Sequence, residues 1–420
     1  FVASDPLAIA NITEGFYLLE DGDFAEISKD KIKIFDETSK EVQRSETFIE
    51  ATASATSRGS YKHFMEKEIY EQPESVGNTI NGRLGENDVL NNIFGLGSSD
   101  AFKEVKRIQF VACGTSLHAA KTARKWFEDI CETPCYIDFA SEYRYRNPLV
   151  EENTLFVSIS QSGETADTLA ALEYAKSKEY LGAVSICNVP TSTMARDADW
   201  KLFTNAGPEI GVASTKAFTT QLAALLMLAI SIAKSQDINK DKRAEATQDL
   251  RNTPSLLQEA FALKADIDQI TENIASKNNA LYLGRGMFFS IAQEGALKLK
   301  EISYIHAEAY PAGELKHGPL ALVDDKIPVV ALAPEDSLVE KLLSNLEEVK
   351  ARGGTLYVFG NAKSKIEIKR GKFIKMPECG TYNAPIVYTV PLQLLAYEVA
   401  CHRGTDLDQP RNLAKSVTVE

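Results

Sequence analysis

Cysteine and histidine are scarce in this sequence of 420 residues, which contains six of the first and five of the second. The closest two cysteines, Cys131 and Cys135, have neither a second pair nor histidines at zinc-binding spacing. We therefore expect reduced core thiols in a cytoplasmic protein, with no disulfides, no metal ion and no cofactor.

Basic residues are also in the minority, because 46 lysines and arginines against 59 aspartates and glutamates leave a net charge of −13. A protein without a basic face cannot neutralise a nucleic-acid backbone, so nucleic acid is not an expected partner. A phosphorylated small molecule needs only a local site and is compatible with this charge.

Long hydrophobic runs are missing as well. The longest apolar stretch, residues 222–233, is interrupted by a serine and is shorter than the roughly 20 residues that a membrane-spanning helix needs. It predicts a buried core helix and no membrane span. The first five residues form neither a basic nor an apolar region, so no signal peptide is expected.

The stretch with the clearest chemistry runs from residue 154 to residue 176. Residues 154–159 are mostly apolar, which predicts a buried strand, and residues 166–176 place apolar side chains at helical spacing. The loop between them, residues 160–165, is rich in hydroxyls. At a helix N-terminus such a loop offers free N–H groups, hydroxyl donors and, at Gly163, close backbone approach, so it can bind phosphate. A hydroxyl-rich helix cap is the alternative.

Strands and helices alternate from about residue 90, which predicts an α/β fold with parallel sheets and helices on both faces. The predicted strands are 107–112, 154–159, 183–187, 280–283, 327–333 and 355–359, and the predicted helices are 117–131, 166–180, 214–234, 290–303, 337–350 and 387–401. Gly114 and Gly284 lie 170 residues apart in corresponding turns, as two copies of one domain would place them. We predict two domains, 61–240 and 241–405, and a tail, 406–420.

The two predicted copies differ at the phosphate loop. The second copy has Pro334 to Ser337 at the corresponding position, and this segment contains Glu335 and Asp336. Carboxylates repel phosphate, so only the first copy is expected to bind an anion.

The N-terminal residues have a different pattern. Short strands are predicted at 16–19, 24–27 and 31–35, which cannot close a core alone and resemble the last strands of a domain whose beginning is missing. Residues 51–60 are small and polar and predict a linker. A helix is predicted from residue 61 to 72, where Pro73 ends it. We interpret its charged residues as a solvated face; they are Glu66, Lys67, Glu68 and Glu71.

Three groups of ionisable residues lie in the second half. Glu294, Lys298 and Glu301 share one helix face, either as surface ion pairs or as a base and an ammonium suited to proton abstraction beside a carbonyl. His317, between glycine and proline, is either a solvated histidine or a group that titrates near neutrality. Lys415 belongs either to a frayed tail or to a folded tail in which it forms a Schiff base.

Six segments in order resemble the isomerase half of the glutamine–fructose-6-phosphate aminotransferase family, the glucosamine-6-phosphate synthases. The segments are 112–116, 160–168, 209–216, 295–301, 313–319 and 410–420, and the resemblance extends from about Tyr61 to Glu420. It implies two tandem sugar isomerase (SIS) domains, preceded by a short β remnant of the family's glutaminase domain in residues 1–50.

The resemblance also implies roles for individual residues. The sugar phosphate would be bound by Ser116, Ser160, Gln161, Ser162, Thr165, Val212, Ser214 and Ala414. Glu301 would move the proton between C1 and C2, assisted by Lys298. His317, donated by the neighbouring subunit of a homodimer, would open the sugar ring. Lys415 would form the Schiff base with the ketose.

The implied reaction converts fructose 6-phosphate and ammonia from glutamine into glucosamine 6-phosphate for amino-sugar synthesis. In this family an N-terminal cysteine attacks glutamine, whereas the present sequence has no cysteine before Cys113. We therefore expect this chain to retain only sugar-phosphate binding and isomerisation. Another SIS-fold isomerase or deaminase, or a sugar-phosphate sensor without catalysis, is the alternative.

Overall fold

The computed structural model describes residues 1–3, 9, 12–13, 15–20, 22–48, 57–361 and 367–418. The chain forms two compact units, 1–60 and 61–420. Most of the predicted linker lies outside the described residues.

The first unit contains short antiparallel strands. They are β1 (Gly15–Tyr17), β2 (Phe24–Ile27), β3 (Ile32–Phe35), β4 (Glu41–Val42) and β5 (Glu46–Phe48). β1 pairs with β5, and β2, β3 and β4 form a meander. The three predicted strands are present, although β1 ends at Tyr17. β4 and β5 are too short to leave an alternating pattern in the sequence.

The second unit begins with helices and continues into a five-stranded parallel sheet. Its elements are α1 (Phe64–Tyr70), α2 (Gln72–Ile80), α3 (Ser98–Ala101), β6 (Arg107–Ala112), α4 (Gly114–Ile130), β7 (Cys135–Phe139), α5 (Ala140–Arg146), β8 (Thr154–Ile159), α6 (Ala166–Lys176), β9 (Gly182–Cys187), α7 (Thr193–Asp197), β10 (Trp200–Phe203) and α8 (Lys216–Ser235). The strand order is β10-β9-β8-β6-β7, with every pair parallel.

The remainder of the chain repeats this plan. Its elements are α9 (Lys240–Ala260), α10 (Lys264–Ala275), β11 (Asn279–Gly284), α11 (Met287–Ser303), β12 (His306–Pro311), β13 (Pro328–Ala333), α12 (Val339–Ala351), β14 (Thr355–Gly360), β15 (Gly371–Lys375) and α13 (Ala384–Arg403). The order β12-β11-β13-β14-β15 is again fully parallel, so the predicted α/β fold with two copies is confirmed.

Side chains alternate between two cores because successive residues of a strand point to opposite faces. In β6, Ile108 and Phe110 enter a central core, whereas Val111 enters a smaller core on the other face. In β13, Val330 enters the same central core, and Val329 packs on the opposite face. Helices therefore cover both faces of each sheet, as predicted.

Two helices of the central core, α8 and α13, are long and apolar enough to cross a membrane, yet 100% and 89% of their apolar windows are buried inside the fold. The prediction that residues 222–233 form a buried core helix is confirmed.

The prediction that Pro73 ends the first helix is wrong. α1 stops at Tyr70, and Pro73 lies in the first turn of α2. Proline fits that position because the N–H that it lacks would have no partner within the helix.

Candidate active site

The predicted phosphate loop lies at the point where the strand order of the first sheet reverses. β6 and β8 are neighbours, with Ala112 beside Ile159 at their carboxyl ends, although a strand and two helices separate them in sequence. The chain then enters α4 from β6 and α6 from β8. Ligands of parallel α/β sheets bind in the crevice at such a point. Ser116, half-buried in the first turn of α4, lies on the α4 side of this crevice.

The loop itself is held in shape by its own hydroxyls. The Ser160 hydroxyl accepts the Gly163 N–H at 3.0 Å and lies 3.1 Å from the Thr165 hydroxyl. The Ser162 hydroxyl accepts the Glu164 N–H at 3.1 Å. Gly163 has a φ of +70°, and a Cβ there would meet the Ser192 Oγ at 2.2 Å. Only glycine permits this conformation, so the loop is a preformed, hydroxyl-rich turn.

The C-terminal segment lies across this loop, so the frayed-tail alternative is wrong. The Ser416 hydroxyl is 3.1 Å from that of Ser162, and the Val417 carbonyl accepts the Ala166 N–H at 3.0 Å. A tail without periodicity is therefore ordered by hydrogen bonds to the loop and to the first N–H of α6.

Those contacts bring Lys415 to a buried carboxylate. Its Nζ donates to Glu209 Oε2 at 2.6 Å and to the Gly211 carbonyl at 2.8 Å. Glu209 Oε1 accepts the N–H groups of Thr215 and Ala217. Burial would raise the pKa of Glu209, but the Lys415 ammonium and these N–H donors hold that pKa below its ordinary value.

The other predicted sugar-site residues of this region flank these contacts. Val212 and Ser214 are half-buried, and the Val212 N–H donates to the Asp408 carbonyl at 3.0 Å. Ala414 is exposed beside Lys415, and Gln161 is half-buried in the serine loop, where its carbonyl accepts the Asn188 N–H at 3.1 Å.

The interpretation of the α1 charges as a solvated face is wrong for Glu68 and Glu71. The Glu68 residue is 2% exposed, and its Oε1 accepts the Ile210 N–H at 2.5 Å and the Gly211 N–H at 3.1 Å. Glu71 accepts from the buried Lys216 at 2.7 Å. The sequence contained a signal for Glu68, because residues 65, 68, 69 and 72 follow the spacing of a buried helix face.

A second ionic cluster lies on α11. The Lys298 side chain is 1% exposed, with its Nζ 2.5 Å from Glu301 Oε2 and 3.5 Å from Glu294 Oε1, so these groups are not surface ion pairs. Burial would lower the pKa of Lys298, but the carboxylates of Glu301 and Glu294 outweigh it and raise that pKa. Lys298 is therefore a buried ammonium, while the Glu301 side chain remains 21% exposed.

This cluster joins the two copies of the domain through α4. The Thr115 hydroxyl donates to Glu294 at 3.1 Å and accepts from Lys298 at 3.2 Å. His118 Nδ1 lies 2.8 Å from the other Glu294 oxygen. The sequence reasoning missed Thr115 and His118; their three-residue spacing places them on one face of α4, but nothing in the sequence indicates the partner helix.

His317 is the predicted site residue that the structure does not bring to the others. It ends a 3-10 helix at residues 312–317 and is exposed, and its side chain makes no hydrogen bond or ion pair within the part of the chain that the structure describes.

All six cysteines are free thiols, two of them buried and four half-buried. Across residues 57–361 and 367–418 and the described part of the first unit, no group of three or more histidine, cysteine, aspartate or glutamate side chains is arranged to hold a metal ion.

Comparisons of the sequence and fold with known proteins identify a family. The SIS domain model matches residues 101–231 and 273–403. The chain is 54% identical over its whole length to a glutamine–fructose-6-phosphate aminotransferase (isomerizing) of Pseudomonas aeruginosa and 50% identical to that of Aliivibrio fischeri, covering 69% of each relative.

Comparison with solved structures gives the same family. The C-terminal domain of glucosamine-fructose-6-phosphate aminotransferase from Francisella tularensis superposes with a TM-score of 0.82 at 50% identity, over 84% of this chain and 100% of that one. A glucosamine-6-phosphate deaminase from Thermotoga maritima, at 23% identity and a TM-score of 0.66 over 84% of this chain and 99% of that one, shares the fold.

Proposed function

Because the chain belongs to the glutamine–fructose-6-phosphate aminotransferase (isomerizing) family, of which it matches the isomerase part with two SIS domains, we propose that it converts fructose 6-phosphate and ammonia to glucosamine 6-phosphate. One observation carries the proposal. The tail places a lysine amine beside the serine loop through Lys415, Ser416 and Val417, so an imine-forming group and a phosphate cradle share one crevice.

The substrate phosphate binds at the serine loop. Ser116, Ser160, Gln161, Ser162 and Thr165 surround the N-termini of α4 and α6, where free N–H groups and helix dipoles favour an anion. Val212, Ser214 and Ala414 line the path from this loop to Lys415 and contact the sugar.

Lys415 supplies the covalent step. Its amine, after passing a proton to the adjacent Glu209 carboxylate, adds to the C2 carbonyl of the open-chain ketose, and water leaves as the imine forms. Ammonia then replaces the lysine at C2. The amino donor from which it derives is glutamine, which the name of the relatives specifies.

Glu301 transfers the proton that completes the isomerisation. Its carboxylate removes a proton from C1 and delivers it to C2, while the proton of the C1 hydroxyl passes to the imine nitrogen at C2, so that C1 becomes the aldehyde and the nitrogen becomes the amine. The Lys298 Nζ, which lies 2.5 Å from Glu301 Oε2, holds this carboxylate in place for both transfers.

His317 opens the sugar ring from the neighbouring subunit of a homodimer. Its exposure in a single chain agrees with a role completed by assembly. In this scheme residues 61–240 bind the sugar phosphate, 241–405 contribute the base, and 406–420 close the site. The enzyme operates in the cytoplasm at the start of amino-sugar synthesis.

Reductive trapping tests the proposal. With fructose 6-phosphate and borohydride, the intact mass of the chain increases by one reduced hexose phosphate, and with ammonium the chain forms glucosamine 6-phosphate. Lys415→Ala abolishes the trapping without changing the melting temperature by more than a few degrees. A chain that binds the sugar but neither traps nor consumes it is a sensor, which contradicts the proposal.

A further inference from the structure

The turn that holds Lys415 is itself held from behind by α1. Glu209 and Gly211 accept the two hydrogen bonds of Lys415 Nζ, and the N–H groups of Ile210 and Gly211 both donate to Glu68. We propose that Glu68 is a positioning residue for Lys415: it fixes the turn 209–211 so that the amine lies beside Glu209. This inference rests on the proposed role of Lys415.

The contact between Glu68 and the turn is a close one. A Cβ at Gly211 would lie 2.9 Å from Glu68 Oε2, so only glycine allows the carboxyl group this near to the backbone. A shift of Glu68 therefore moves the Gly211 carbonyl, which is an acceptor of the lysine amine.

Asp408 completes a ring of contacts around the same turn. Its carboxylate accepts the N–H groups of Phe64 and Met65 at the start of α1, and its backbone carbonyl accepts the Val212 N–H. The tail is thus tied to α1, α1 to the turn, and the turn to the tail. α1 and the tail lie outside both matches to the SIS model, whereas the turn 209–211 that they hold lies inside the first match.

The charge on Glu68 affects the chemistry as well as the position of Lys415. Burial, followed by the nearby Glu209 carboxylate, raises the pKa of Glu68 to about 8, and its Oε2 is buried without a hydrogen-bond partner. At neutral pH Glu68 is therefore mainly a neutral acid. Glu209 then has no second charged carboxylate beside it, so its ion pair with Lys415 is not disturbed by repulsion across the turn.

Other charges around this pair belong to the same environment. They are Lys298 on α11, whose pKa Glu209 also raises, the ion pair of Glu71 and Lys216, and the Asp408 carboxylate. Each keeps its own partner, so Glu68 is the buried carboxyl whose ionisation changes the balance next to Lys415.

The experiment measures the rate of borohydride trapping with saturating fructose 6-phosphate from pH 6 to pH 9.5. Glu68→Ala removes the acceptor of two N–H groups, and we expect trapping at pH 7 to slow by roughly tenfold or more, the effect of about 1.4 kcal/mol. Glu68→Gln keeps a neutral oxygen acceptor and should trap within about threefold of the unsubstituted chain at pH 7.

The pH profile separates positioning from mere structural support. The unsubstituted chain shows an extra ionisation near pH 8, above which a charged Glu68 repels the Glu209 carboxylate, disturbs the turn that holds Lys415 and slows trapping. Glu68→Gln lacks that ionisation and gains relative to the unsubstituted chain above pH 8. Glu74→Ala, an exposed carboxylate on the next helix, serves as the matched control and leaves the profile unchanged.

The outcomes are distinct. If the unsubstituted chain does not trap, the proposed function fails and the inference with it. If the unsubstituted chain traps, three results would overturn the inference alone. Glu68→Ala could trap as fast as the unsubstituted chain, Glu68→Gln could lose as much trapping rate as Glu68→Ala, or Glu68→Gln could keep the ionisation near pH 8. If Glu68→Ala does not fold, the inference is tested by the pH profile of Glu68→Gln compared with that of the unsubstituted chain.

Discussion

Lys298 and Glu301 lie one helical turn apart but in different environments. Lys298 is buried between two carboxylates, whereas Glu301 retains access to solvent. A buried ammonium stays charged only when such partners outweigh the cost of desolvation. The pair thus places the Glu301 carboxyl group where solvent reaches it and the Lys298 amine beneath it.

Glu301→Gln removes the base while keeping the size of the side chain. We expect kcat for glucosamine 6-phosphate formation to fall by about 10²- to 10⁴-fold with little change in the Kd of fructose 6-phosphate, measured by steady-state kinetics and calorimetry. Glu347→Gln is a matched control, because Glu347 also pairs with a lysine three residues away, at 2.9 Å, but on the surface. Equal activity of the two variants would contradict the role of Glu301.

Gly163 determines the shape of the serine loop. Gly163→Ala adds both backbone strain and a clash with Ser192, so we expect a loss of about 1–3 kcal/mol of unfolding free energy and weaker binding of fructose 6-phosphate. Gly82 has a similar φ of +68° with open space around it, and Gly82→Ala should reduce stability alone. Urea unfolding measures the stability of the two variants, and calorimetry measures their binding of fructose 6-phosphate. Unchanged sugar binding in Gly163→Ala would contradict the proposal that this loop binds the sugar phosphate.

At the scale of elements, the central strands were the most predictable. β6, β8, β13 and β14 are buried on both faces and appear in the sequence as mostly apolar segments. Strands β7, β10, β12 and β15, which lie at the sheet edges, carry mixed polar residues and were missed. Their positions follow from sheet pairing, which no local pattern records.

The candidate site was predictable only where its residues lie close together in the sequence. The serine loop and the spacing of Glu294, Lys298 and Glu301 are visible in short segments. The contact between His118 and Glu294 joins residues 176 positions apart, and that between Glu68 and Gly211 joins residues 143 apart. The spacing of residues 65, 68, 69 and 72 indicates that Glu68 faces the core, but no local pattern identifies Gly211 as its partner.

The N-terminus of α1 depends on the tail. Asp408→Ala removes the acceptor of two backbone N–H groups at 2.9 Å each and should cost about 0.5–2 kcal/mol of unfolding free energy. Because α1 carries Glu68, imine trapping should slow as well. Asp406→Ala, which loses only a contact with the Gln409 backbone, is the control. An unchanged melting temperature for Asp408→Ala would show that this cap is dispensable.

At the scale of the whole molecule, the proposed active site draws on both copies. The first copy supplies the serine loop, the second supplies Glu301, and α4 packs on α11 where the ionic cluster joins them. The duplicated fold therefore yields a single complete set of groups.

Co-expression tests the proposed exchange of His317 between subunits. We expect chains with His317→Ala and chains with Lys415→Ala to be inactive when each is expressed alone. When they are expressed together, random pairing makes half of the dimers mixed. Each mixed dimer has one intact site if His317 acts across the interface. We expect about a quarter of the unsubstituted activity. The double variant co-expressed with itself gives the background. Activity that stays at this background would place His317 in its own chain's site or outside catalysis.

The acidic turn at Glu335 and Asp336 is exposed at the second copy's counterpart of the serine loop. In the proposed function this turn has no part in substrate binding, unlike its counterpart in the first copy. We expect a phosphorylated inhibitor to saturate at one molecule per chain. We also expect a peptide epitope or fluorophore inserted between Glu335 and Asp336 to leave catalysis intact. The exposed acidic turn is thus a position for engineering that the proposed chemistry does not use.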